Sequence, residues 1–365
     1  MSNRLKQLRD LLPERELDAI LISQPANRRY LSGFTGSDGY LLISQDNAIL
    51  ATDFRYREQS REQAPHFSTF EIKSASGGSD WFPQLIAETG VKRLGLESDG
   101  LTLAEYHQLV KAARKLSPKS RPRLLPAQGT VESLRAIKDK EELDSMRKAA
   151  ALADTAEEHA RSVLRRGMTE KELAWGLERF MREKGSESIP FDIIVASGPN
   201  SALPHAQPSE RPIQEGEPVV IDLGARVNGY CSDMTRTIWV DEPNDMLKTI
   251  YNIVYEAQRA AIKGVRAGMS ADEADRLARN VITDAGYGEA FGHSLGHGVG
   301  LDPHEQPRLG PNSQDTLADG MVFTIEPGVY VEGWGGVRIE DMILLEEGKP
   351  QSLTKASKLK IQGEQ

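Results

Sequence analysis

Gly167-Met168-Thr169-Glu170-Lys171-Glu172 returns 101 residues later as Gly268-Met269-Ser270-Ala271-Asp272-Glu273. Each copy sets a Thr or Ser three residues before a Glu, the capping box that satisfies free amides at the start of a helix. Each helical pattern then runs to a glycine, Gly185 or Gly286, a residue suited to the left-handed backbone that ends helices. Capped helices are common, but two unrelated ones would not also share the preceding Gly-Met and the same length. The repeat therefore predicts a duplicated unit of two helices plus strands. A strand-rich segment follows each helix pair, at 218–240 and 321–345. Each has a turn signal near its middle, Asn228-Gly229 in one and Gly333-Trp334-Gly335-Gly336 in the other, so both read as hairpins. Residues 131–365 are expected to form one pseudo-two-fold domain. Its curved antiparallel sheet is expected to be backed by helices near 139–187 and 243–286.

The first third carries a different pattern. Residues 17–23, 40–44, 48–53, 67–72 and 93–97 read as strands, and 54–64, 80–89 and 101–116 have helical spacing. That alternation predicts a small α/β domain over residues 1–130. Its end is set by SPKSRPRLLPAQGT (117–130), a cationic run with three prolines that reads as a linker. A length of 365 residues suggests two or three domains, or one large one with a smaller companion. The formal charge of −9 argues against nucleic-acid binding, which depends on cations neutralising phosphates. A single cysteine, Cys231, excludes an internal disulfide and every Cys-rich zinc module. The amino terminus is too charged for a signal peptide, and no stretch approaches the ~20 apolar residues of a membrane span. A cytoplasmic protein with no membrane partner is expected.

In the first hairpin, Asp222 sits within the apolar run PVVIDLG, where strand propensity disfavours it. With Asn228-Gly229 as a two-residue turn, Asp233 on the return strand faces Gly224. Asp222 and Asp233 then share one face at a diagonal spacing. Like charges side by side on a mostly buried sheet repel and lose hydration unless a cation holds them. Either Asp alone would read as a solvated edge residue; the pair does not. The second hairpin repeats the arrangement with Glu326 in VFTIEPGVY and Glu340 in GGVRIEDMILL. A three-residue loop centred on Gly333 sets these two directly opposite. Three of the seven histidines, His293, His297 and His304, fall between the hairpins in the Gly-rich GHSLGHGVGLDPHE, where glycine permits close approach. Four carboxylates with an imidazole are too anionic for a structural zinc site. They suit a pair of Mn, Co, Fe or Zn ions bridged by carboxylates. HExxH, Walker A and GxGxxG motifs do not occur.

The blocks SGPNSALPHAQP (197–208), DLGARVNGYCSDMTRT (222–237), HSLGHGVGLDPHE (293–305), EPGVY (326–330) and GGVRIED (335–341) resemble those of the pita-bread metallopeptidases. Among these, the Xaa-Pro peptidases, aminopeptidase P and prolidase, are the most similar. NRRYLSGFTGSDGYLLI (27–43) and TDFRY (52–56) resemble the family's creatinase-like first domain. The resemblance implies a creatinase-like N-terminal α/β domain followed by an α+β pita-bread catalytic domain with pseudo-two-fold duplication. It also implies two divalent metal ions, manganese ahead of cobalt, zinc or iron. Asp222 would chelate one ion and His297 with Glu326 the other, while Asp233 and Glu340 bridge them. His205 and His304 would contact the substrate at the scissile carbonyl, and Glu326 would relay a proton. His293 and Arg338 would line the prolyl side of the cleft, with Phe191 and Tyr330 nearby. Arg338 has a second reading, as a cation that merely neutralises the carboxylate cluster.

The implied activity is hydrolysis of the Xaa-Pro bond in dipeptides or at the start of longer peptides, by a homodimer. Methionine aminopeptidase shares the five ligands but normally lacks the first domain and the block around Arg338. Creatinase works without metals and lacks the intact ligand set. A peptide-binding pseudo-enzyme of the same fold would typically have lost ligands.

Overall fold

The computed structural model describes residues 2–73 and 79–359. By contact density the chain divides into two compact units, Met1–Arg135 and Ala136–Gln365. The first is built on a six-stranded mixed sheet. Its order is Ser68–Glu71, Ala48–Thr52, Tyr40–Ser44, Ala19–Ile22, Arg93–Leu96, Arg123–Pro126. Tyr40–Ser44 runs antiparallel to both neighbours, and the other pairs are parallel. One reading from sequence is corrected here. The proline-rich segment taken as a linker contains Arg123–Pro126, the edge strand paired with Arg93–Leu96. Proline is tolerated there because an edge strand leaves one row of amides unpaired. The helices Ser2–Glu14 and Pro25–Ser32 were also not anticipated. The first hides a buried stripe of Leu5, Leu8 and Leu12 beneath its charges, at helical spacing.

The second unit is duplicated as expected; its last residues, 360–365, lie outside the described part. Helices Lys140–Val163 and Glu170–Glu183 precede an antiparallel trio, Ile194–Ser197, Val219–Leu223 and Met234–Ile238. Helices Asp245–Gly264 and Ala271–Asp284 precede a second trio, Gly296–Gly298, Val322–Ile325 and Asp341–Glu346, flanked by Glu305–Leu309 and Lys349–Ser352. Both capping boxes form, Thr169 with Glu172 and Ser270 with Glu273, and each starts a helix of 14 residues. The residues before the boxes dock identically. Gly167 N donates to Ile213 O at 2.9 Å and Gly268 N to Leu317 O at 2.8 Å. Helix Lys140–Val163 lies close to the strands because its inner face is alanine, with Ala149, Ala153, Ala156 and Ala160 fully buried. Helix Asp245–Gly264 buries Leu247, Ile250, Tyr251, Val254 and Ala257 at the same period.

Both hairpins hold the anticipated register. Asn228 and Gly229 have φ of 50° and 81°, the left-handed pair a two-residue hairpin turn needs. Val227 then pairs with Tyr230, and Asp222 with Thr235. In the second hairpin Val331 pairs with Gly335, Gly328 with Arg338 and Ile325 with Asp341. The three-residue loop is thereby fixed, and Glu326 lies across from Glu340. The two copies meet along a seam where Glu340 N donates to Thr235 O at 3.0 Å.

Candidate metal centre

Asp222 lies within Val219–Leu223, while Asp233, Glu326 and Glu340 each stand one residue beyond the end of Met234–Ile238, Val322–Ile325 and Asp341–Glu346. Asp222, Asp233, Glu326, Glu340 and His297 all line one cavity of about 270 Å³. An oxygen of Asp233, a nitrogen of His297 and an oxygen of Glu340 lie within 4.8 Å of one another, as ligands of one cation would. His297 Nε2 is 3.2 Å from Glu326 Oε1 and 3.7 Å from Asp233 Oδ2. The other ring nitrogen, Nδ1, bonds Gly298 O at 3.1 Å, which turns Nε2 toward the cavity. His297 reaches this depth because its neighbours have no side chain. A Cβ on Gly296 would stand 2.0 Å from Thr324 O, and one on Gly298 2.0 Å from Gln306 O.

The electrostatics fit a cation. Burial raises Asp233 and Glu340 far above the usual carboxylate range, and their acidic neighbours push them further. Burial also raises Asp222, although Arg338 opposes it. Burial would raise Glu326 too, but the His297 ring and the charges of His293 and Arg338 overcome that and hold it at about 2. Burial alone would lower His297, yet its bond to Glu326 raises it. Asp222 Oδ1 is buried and has no hydrogen-bond partner. Groups that keep protons on Asp233, Glu340 and His297, with one orphaned carboxylate oxygen, are a donor set completed by divalent cations.

The remaining predicted residues divide. His205, His293, His304, Arg338 and Phe191 line the same cavity. Tyr330 does not; its hydroxyl stands behind, bonded to His293 Nε2 and Arg338 Nη1, both at 2.9 Å. Burial lowers His293, and burial with the nearby His297 lowers His304. Arg338 is largely committed. Nη2 donates to Asp222 Oδ2 at 2.7 Å, Nε to Thr235 Oγ1 at 3.1 Å, and Nη1 to Pro204 O at 3.1 Å. Two threonines were missed by the sequence reading. Thr235 Oγ1 donates to Glu340 Oε2 at 2.6 Å, and Thr324 Oγ1 to Glu326 Oε1 at 3.1 Å. Each stands on a strand two residues from a carboxylate just past that strand's end, Asp233 or Glu326, a period-2 spacing that could have revealed them.

Residues 144–347 match the model of metallopeptidase family M24, and residues 4–137 match the creatinase/prolidase N-terminal domain. The chain belongs to metallopeptidase family M24. A Xaa-Pro dipeptidase of Pyrococcus horikoshii is 38% identical over 98% of both chains. The solved Xaa-Pro dipeptidase from Bacillus anthracis is 43% identical over 98% of both chains, with a TM-score of 0.92. The X-Pro aminopeptidase from Thermotoga maritima is 37% identical, covers 95% of this chain and 98% of its own, and has a TM-score of 0.85. Among the described residues, no helix is long and apolar enough to cross a membrane.

Proposed function

We propose that this chain is a dinuclear-metal hydrolase that cleaves the Xaa-Pro bond, with Xaa-Pro dipeptides as its preferred substrates. The convergence of Asp222, Asp233, His297, Glu326 and Glu340 on one cavity with three further histidines carries this reading. Asp222 would hold one ion, His297 with Glu326 the other, and Asp233 with Glu340 would lie between them. Divalent cations, when bound there, would lower the pKa of a water and polarise the scissile carbonyl. Glu326, kept ionised by His297, takes a proton from the nucleophile and passes it to the departing prolyl nitrogen. His304, whose neutral form is favoured by burial and by the nearby His297, acts with His205 to donate hydrogen bonds to the developing oxyanion. An Xaa-Pro bond has no N–H to grip, and this arrangement asks nothing of one. Selectivity for the ring falls to the wall of Phe191 and His293.

The oxygen-rich donor set supports manganese over zinc. We take residues 1–130 as the creatinase-like domain and 131–365 as the catalytic domain, in a cytoplasmic homodimer. Relatives named as Xaa-Pro dipeptidases support the dipeptide substrate; the Thermotoga protein supports a second reading, removal of the first residue from longer Xaa-Pro peptides. Hydrolysis of Gly-Pro and Gly-Pro-Gly under Mn, Co and Zn separates them. The proposal expects Gly-Pro to be cut, fastest with Mn. Cleavage of Gly-Pro-Gly alone would reverse the substrate assignment, and cleavage of neither would refute the peptidase.

A further inference from the structure

We infer that Glu170 is a positioning residue for His205: one buried carboxylate closes the neck of the loop that carries that histidine into the cavity. The inference rests on the proposed role of His205, and its test is chosen to fail separately from it.

Glu170 is fully buried at the first position of helix Glu170–Glu183. Its side chain does not cap that helix, a task done by Thr169 and Glu172. Instead its two oxygens grip both ends of the segment 197–209. Oε1 accepts from Ser197 N at 2.7 Å and Ser197 Oγ at 2.8 Å. Oε2 accepts from Ser209 N at 3.0 Å and Ser209 Oγ at 2.6 Å. Asn200 Nδ2 reaches both oxygens, at 3.2 and 3.1 Å. Between the gripped serines the chain makes a short 3-10 turn, Gly198–Ala202, and then presents Pro204 and His205 to the cavity. The far side of the loop is held by Arg338 Nη1 on Pro204 O and by Gly336 N on Ser201 Oγ at 2.8 Å. The loop is therefore pinned at its base by Glu170 and beyond it by the strand Gly335–Arg338.

The duplication supplies an internal control. The position equivalent to Glu170 is Ala271, also fully buried at the first position of its helix. Helix, cap and docking bonds are the same in both copies, so the fold does not require a carboxylate here. The copy without one also carries a cavity histidine, His304, on its next loop, so the carboxylate is a device of the 197–209 loop and not a need of the fold or of every histidine-bearing loop. Burying a carboxylate costs free energy unless its lone pairs are filled. Here they are filled by donors from the two ends of one loop, which makes the loop's shape conditional on Glu170.

The test uses the full chain with Mn present and two independent readouts. In Glu170→Ala, amide exchange across residues 198–208 should quicken by about ten-fold or more, with strand Val219–Leu223 unchanged. Hydrolysis of Gly-Pro should lose kcat by roughly 100-fold with metal content unaltered. Glu170→Gln, which keeps the volume and one acceptor, should fall between and serves if the alanine variant does not fold. In a His205→Ala background either change should cost less than about two-fold further, because the residues act through one loop. Undiminished loss in that background, or unchanged loop exchange, overturns the proposal. A chain that never cleaves Gly-Pro refutes the peptidase reading alone, since the exchange readout still decides whether Glu170 holds the loop.

Discussion

Arg338 shows how one side chain can be read two ways until its partners are seen. From sequence it was a candidate wall of the prolyl pocket, with charge neutralisation as the other reading. In the structure its guanidinium is spent on Asp222, Thr235, Tyr330 and Pro204 O. An arginine so engaged offsets the buried negative charge, and under the proposed function it would orient Asp222 toward a cation. Partners of this kind typically contribute ten- to a hundred-fold in metal affinity. Arg338→Ala should therefore weaken Mn binding by about ten-fold or more and lower kcat/KM for Xaa-Pro and Xaa-Ala peptides alike. Metal titration by calorimetry, alongside kinetics on both peptides, makes the comparison. Intact Mn affinity with a raised KM for Xaa-Pro alone would restore the pocket role.

Among the elements, the two hairpins were the most legible and the edge of the first sheet the least. A turn that demands left-handed residues leaves few registers, so Asn228-Gly229 and Gly333 fixed which residues face each other across each hairpin. Facing residues set which side chains share a face, and so the four inward carboxylates could be read before any coordinates; His297, on neither hairpin, was set apart from His293 and His304 only by the family resemblance. Glu170 could not, because a carboxylate at the start of a helix looks like dipole compensation. Its real partners lie about thirty residues on, beyond any local pattern. Arg123–Pro126 was missed for a related reason: prolines and cations that mark a linker are also tolerated on an edge strand. The repeat makes a firm prediction about elements. Thr169→Ala and Ser270→Ala remove equivalent caps and should each cost about 1 kcal/mol. Hydrogen exchange of the helices Glu170–Glu183 and Ala271–Asp284 measures both. A cost confined to one copy would show that the two helices are not energetic equivalents.

At the scale of the molecule, the second unit carries a built-in conflict between stability and function. Three carboxylates with raised pKa values, Asp222, Asp233 and Glu340, destabilise the metal-free fold at neutral pH, and cations that bind only the folded chain would return that free energy by mass action. At a hundred times the dissociation constant the return is about 2.7 kcal/mol. Asp233 is the group to probe, because burial and its acidic neighbours raise its pKa. A carboxyl raised in the folded state contributes stability that is fully present below its unfolded value, about 3.9. That contribution is lost as pH rises through the raised folded value. Asp233→Asn abolishes this loss. In EDTA at pH 7 the variant should melt at a higher temperature than the parent, and the gap should close as pH falls toward 4. With Mn present the order should reverse, since only the parent gains from the ions, and the variant should be inactive. Thermal unfolding across that pH range, with and without Mn, supplies all four comparisons. If the variant is the less stable chain in EDTA at pH 7, the carboxylates are not in conflict, and the electrostatic case for the metal centre fails with them.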